Sequence, residues 1–114
     1  MPWLRVLMVW ALSGGAVAAG PAAPPAQGHV SLMCEAVYLP ARAIWVRHVT
    51  IGYDDQRVRT VLIDGVPVHS FAIAGTVILT ALDNERIQID TAAQTWTSDF
   101  RGVASAQGRC ERSR

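Results

Sequence analysis

The stretch from Leu62 to Asp90, LIDGVPVHSFAIAGTVILTALDNERIQID, decides the fold. Its Asp64-Gly65 step follows Val58 to Ile63, a run of β-formers, and leads straight into Val66. That is a strong hairpin signal, because a type I′ turn needs positive φ at both central residues. Asp64 is therefore read first as a turn residue. A two-residue loop sets Ile63 against Val66, Val61 against Val68 and Val58 against Phe71, stacking apolar pairs across the hairpin. Pro67 has no amide hydrogen to give and must face an edge or a bulge. Ala74-Gly75 breaks the chain again, Thr76 to Leu82 forms the next strand, and Asp83-Asn84-Glu85 forms a polar turn. Arg86 to Asp90 then alternates, with Ile87 and Ile89 inward and Arg86, Gln88 and Asp90 outward. The acids of this stretch punctuate strands.

The same grammar extends in both directions. Upstream, Leu32, Cys34, Ala36 and Tyr38 alternate with Met33, Glu35 and Val37 until Pro40 stops the run. In Ile44 to Tyr53 the residues Val49, Ile51 and Tyr53 oppose His48 and Thr50, while Arg47 falls on the apolar face and points to a bulge or a rim. Asp54-Asp55-Gln56 turns the chain. Downstream, Trp96, Ser98 and Phe100 share a side, Gly102 interrupts, and Ala104, Ala106, Gly108 and Cys110 line one face of a last strand. No amphipathic helix stands out. The expectation is an all-β fold, a small antiparallel meander of about seven to eight strands curling toward a barrel, with a two-sheet β-sandwich as the alternative.

The N-terminus reads as a targeting segment. Met1 to Arg5 gives a positive start, Val6 to Leu12 an apolar core and Ala16-Val17-Ala18 a small-residue cleavage site, so residues 1–19 are assigned to a signal peptide. The apolar core is too short to anchor in a bilayer, which leaves no transmembrane segment in the mature chain. Residues 20–29, Pro- and Ala-rich, form a linker, and residues 30–114 form the domain. Its two cysteines, Cys34 and Cys110, lie near its ends. In an exported chain an even count implies a disulfide, here closing almost the whole domain, and the expected location is periplasmic or secreted. Met33 excludes a lipobox before Cys34, and neither cysteine has a metal-ligand neighbour.

All ten basic residues are arginine; without Arg5, nine face nine carboxylates with the signs interspersed. No basic stripe marks a nucleic-acid binder. Histidines 29, 48 and 69 are scattered, and a metal site joining them to Asp54, Asp64 or Asp83 has no support from spacing. Asp54 and Asp55 are adjacent, and adjacent side chains of an extended chain point apart. Ser31, Ser70, Ser98, Ser105 and Ser113 lack a nucleophile elbow. No catalytic residue, metal or cofactor is assigned. Trp45 and Trp96 are both read first as core or barrel-end plugs. Trp45, beside Arg42 and Arg47, also has the composition of a recognition spot.

Taken together, Cys34, Val49-Thr50-Ile51, Leu62-Ile63-Asp64-Gly65, Ile78, Ile87-Gln88-Ile89-Asp90, Trp96 and Gly108-Arg109-Cys110 resemble a loose class of small exported bacterial β-meander proteins. That class carries a signal peptide and one terminal cysteine pair, and most of its members have no assigned activity. More distantly, the chain resembles the membrane-bound inhibitors of C-type lysozyme. Their inhibitory Trp-x-Lys-Gly-Asp-like segment is not present: the nearest stretch is Trp96-Thr97-Ser98-Asp99, and the chain has no lysine.

The function expected is a non-catalytic periplasmic or secreted β-domain that binds a protein or envelope ligand through loops at one end. The candidate surface is Arg42, Trp45 and Arg47, with the turns Asp54, Asp55, Arg57 and Asp83, Asn84, Arg86. The alternatives are a small hydrolase or metal-assisted enzyme, and a structural envelope component.

Overall fold

The computed structural model describes residues 27–113. The segment expected to be a signal peptide and most of the expected linker lie outside the described residues. The fold is all-β, an open, curled antiparallel sheet of nine strands. The strands are β1 (Gln27–Leu39), β2 (Ala43–Asp54), β3 (Arg57–Ile63), β4 (Val66–Pro67) and β5 (Phe71–Ala74), followed by β6 (Val77–Leu82), β7 (Glu85–Asp90), β8 (Thr95–Phe100) and β9 (Ala104–Ser113). β1 takes in residues 27–29, which composition had given to the linker.

The sheet order is β4-β3-β2-β1-β9-β8-β7-β6-β5, so the first and last strands meet at its middle. Cys34 stands opposite Cys110 in the β1–β9 ladder, and the two form the disulfide. The edges are β4 and β5, which follow one another in sequence. They arise because a single run changes partner. Ile63 pairs with Val66, and Val68 N–H still donates to the Val61 carbonyl at 3.0 Å. Phe71, expected opposite Val58, instead pairs with Thr80 on β6. Pro67 sits opposite Leu62 with its missing amide on the outer, unpaired side of this edge strand, the last bond to β3 comes from Val68, and the chain then crosses to the other edge through residues 68–70. The seam is thus bridged toward one end of the sheet and open toward the other.

Turns at 40–42, 64–65, 83–84 and 101–103 gather at one end, the Trp45 end, and those at 55–56, 75–76 and 91–94 at the other, the Tyr53 end. Three of the two-residue turns have positive φ at both positions: Asp55-Gln56, Asp64-Gly65 and Asp83-Asn84. Asp, Asn and Gly occupy most of these positions because they tolerate the left-handed region best. The concave face buries Leu32, Ile51, Ile63, Ile78, Ile87, Ile89 and Trp96 around the disulfide. Alternation places this core, and a bulge corrects it on β3. The register slips where Gly52 faces Thr60 and Tyr53 faces Val58, leaving Arg59 without an opposite residue. The slip turns Val58 toward the core and Arg59 outward, where two-residue alternation from Val61 would have done the reverse.

Candidate functional site

The Trp45 end is closed from inside by a polar cluster. Arg47, on the inward face of β2, is only 8% exposed, as is Glu85 at the start of β7. Arg47 Nη1 donates to Glu85 Oε1 at 2.9 Å and also to the Tyr38 hydroxyl, while Nε donates to Asp64 Oδ2 at 2.7 Å. Ser98 Oγ donates to Glu85 Oε2 at 2.6 Å, Tyr38 donates to the same oxygen, and Trp96 Nε1 donates to Ser98 Oγ at 3.0 Å. The guanidinium lies 4.8 Å from the centre of the Trp96 ring. Asp64 is both a turn residue and a partner, since its Oδ1 accepts the His48 amide at 2.9 Å.

Electrostatics follow from this packing. Burial alone would raise the Glu85 carboxyl, but hydrogen bonds from Ser98, Tyr38 and Arg47 outweigh it and hold the group below its ordinary value. Burial would lower Arg47, yet its bonds to Glu85 and Asp64 raise it. The Tyr38 phenol is raised, first by burial and then by its bond to Glu85. Glu85 is therefore held as an anion with its oxygens occupied, and Ser98 Oγ is committed to it. The arrangement acts as a clamp.

Arg47 corrects the sequence reading. It occupies no bulge or rim, because β1 and β2 pair without a slip from Gln27–Asp54 to Tyr38–Ala43. It points inward and is tolerated there because its donors meet oxygens. Sequence reading missed Tyr38, Glu85 and Ser98 as members of this cluster. The signal was available in their register: Glu85 stands two residues before Ile87, Arg47 two before Val49 and Ser98 two after Trp96, all on inward positions.

Trp45 is also corrected. It plugs nothing: it is 61% exposed and tilts over Tyr38 with ring centroids 5.6 Å apart. Trp96 is fully buried. The same end of the sheet also exposes Ile44 (65%) and Val103 (68%), together with Leu39, Val66 and Phe100. Arg42, at φ 63°, and Arg86 are exposed at this end with Asp83 and Asn84. Asp54, Asp55 and Arg57 lie at the opposite end, with Asp54 3.7 Å from Arg59. The nine residues expected to form one surface are therefore split: Arg42, Trp45, Asp83, Asn84 and Arg86 lie on one rim, Arg47 inside it, and the remaining three far away.

Among the described residues no group of three or more His, Cys, Asp or Glu is placed to hold a metal ion, and no helix is long and apolar enough to cross a membrane. Compared with known proteins, the chain matches no family model, no curated protein and no solved structure.

Proposed function

We propose that this chain is an exported, non-catalytic binding domain that engages a protein partner through its Trp45 end. The observation that carries this reading is the gathering of Ile44, Trp45, Val103, Leu39, Val66 and Phe100, all exposed, around one end of the sheet. Single exposed apolar residues are ordinary, but several large ones at the same end of a sheet, beside the exposed Arg42, Asp83, Asn84 and Arg86, favour a protein contact there. Trp45 beside Arg42 supplies the residue types that dominate such contacts. The clamp beneath supports the reading, because a rigid base lowers the ordering cost of binding. The buried disulfide suits an oxidising compartment. Against an enzyme stands the chemistry of the clamp, where the one carboxylate buried among the described residues is ion-paired and the one serine buried among them is bonded to it.

The test is site-specific photocrosslinking in cells, with the reactive residue in place of Ile44, Trp45 or Val103 and, as comparison, in place of Gln88 on the outer face of β7. One discrete protein adduct from the first three positions and none from Gln88 is expected. Equal adducts from all four positions, or none from the rim, would remove the proposal.

A further inference from the structure

The opposite end of the sheet carries a second feature, independent of the rim. There the concave face is not plugged. A cleft of about 220 Å³ opens between β1, β2 and the turn after β7, floored by Val30, Leu32 and Ile51. A second space of about 440 Å³ lies along the open seam, over Val58, Ile73 and Ile78. Tyr53, Thr76 and Thr91 line both, so the two adjoin. Together they are of the size that small-molecule sites occupy. The space and its apolar lining follow from two features already visible in the fold. Phe71 to Ala74 pairs with β6 and leaves the first half of β3 uncovered, and the bulge at Arg59 turns Val58 into the gap.

The lining is charged in one sense only. Arg112 stands at the mouth beside Gln94, and Arg57 at the seam, while neither space is lined by an Asp or Glu. Arg112 makes no ion pair with a carboxylate among the described residues. Its charge is felt by Tyr53, whose phenol is raised by burial and drawn partly back by Arg112. An apolar trough with a cation and a side-chain amide at one end complements an apolar chain ending in an anion.

We infer that this trough is a binding site for a small single-chain amphiphile, its anionic head group on Arg112 and its acyl tail running over Ile51 and Tyr53 toward Val58 and Ile78. A free carboxylate and a single-chain phospholipid share this chemistry. Head-group recognition comes from the guanidinium, which pairs with carboxylate or phosphate through a fork of donors. The tail supplies the hydrophobic part of the affinity. Arg57, near the tail, is not required by this pose.

Calorimetric titration of the purified protein tests it, using decanoate, decanol, acetate and monodecanoyl glycerophosphate, each below its self-association concentration. One decanoate or one monodecanoyl glycerophosphate should bind per chain, and the tighter of the two names the source. Decanol should bind about tenfold more weakly or worse, and acetate should give no measurable heat. Arg112→Gln should weaken the anionic probe about tenfold and leave decanol unchanged, Arg57→Gln should change little, and Ala92→Trp, which fills the mouth from an exposed turn position, should abolish binding. Absence of binding by both anionic amphiphiles, equal affinity for decanoate and decanol, or indifference to Arg112→Gln or Ala92→Trp would each overturn the assignment.

Discussion

Arg47 Nη1 and Glu85 Oε1 lie 2.9 Å apart although they belong to β2 and β7, strands separated by three others in the sheet. A contact between non-neighbouring strands can form only across the concave face, so this ion pair fixes the curl. Tyr38 on β1 and Ser98 on β8 complete the span. Among the described residues no buried ion pair between non-neighbouring strands braces the Tyr53 end, and it is the end where the seam stays open.

Breaking the brace on one side should cost far more than replacing it whole. Arg47→Ala leaves Glu85 buried without its cation, and a loss of about 3 to 5 kcal/mol is expected from urea unfolding. The double variant Arg47→Met, Glu85→Leu removes both charges at similar volume and should recover most of that loss. A double variant no more stable than the single would show that the pair stabilises by more than mutual neutralisation.

Acid should loosen the same end. The Glu85 carboxyl lies below its ordinary value of 4.5 in the folded protein, so the unfolded chain takes up its proton first as pH falls. The stability from this group is complete above the unfolded value and drains as pH drops toward the lowered folded value. Asp90, held down first by the Ala93 amide and then by Thr76, acts in the same direction at the surface. Thermal melting from about pH 7 to about pH 3 should fall in the wild type and fall less steeply in Glu85→Gln, whose melting at neutral pH is already lower. Parallel curves would place the acid sensitivity elsewhere.

The disulfide joins the middle of the sheet across a separation of 76 residues. Closing a loop of that length restrains the unfolded chain by about 4 kcal/mol. Because β1 and β9 are also paired from Ser31–Ser113 to Leu39–Ser105, the double variant Cys34→Ala, Cys110→Ala should keep the all-β circular dichroism spectrum and lose stability by about that amount. Loss of the β spectrum at room temperature would mean that the ladder cannot hold without the covalent link.

The strand pattern was legible because hairpin turns and two-residue alternation are local: Asp64-Gly65, Ile87-Gln88-Ile89 and Trp96-Thr97-Ser98 each announce their geometry within a few residues. The joining of Cys34 to Cys110 followed from number and position. What could not be read locally was nonlocal. Whether Phe71 stays with Val58 or moves to Thr80 depends on which edge competes for it, and whether Arg47 is buried depends on an acid 38 residues away. Trp45, read first as a plug from its residue type, stands two residues before Arg47 on the same side of β2, but the inward packing has ended there, with Tyr38 beside the ring and the rest of it in solvent.

The change of partner at Pro67 makes a last prediction about motion. A ladder flanked on both sides exchanges its amides only through larger openings, whereas amides at an unpaired edge meet water directly. β1 and β9, flanked on both sides and linked by the disulfide, should therefore be the slowest to exchange. The seam-facing amides of Arg57 to Thr60 and of Phe71 to Ala74 should exchange fastest among the strands, while Val68, whose amide is held by Val61, should be intermediate. Hydrogen–deuterium exchange resolved by nuclear magnetic resonance reads this order directly. If Phe71 to Ala74 and Arg57 to Thr60 were protected as strongly as β1, the two edges would be paired in solution. The sheet would then be a closed barrel, and the trough at the Tyr53 end would have no side opening.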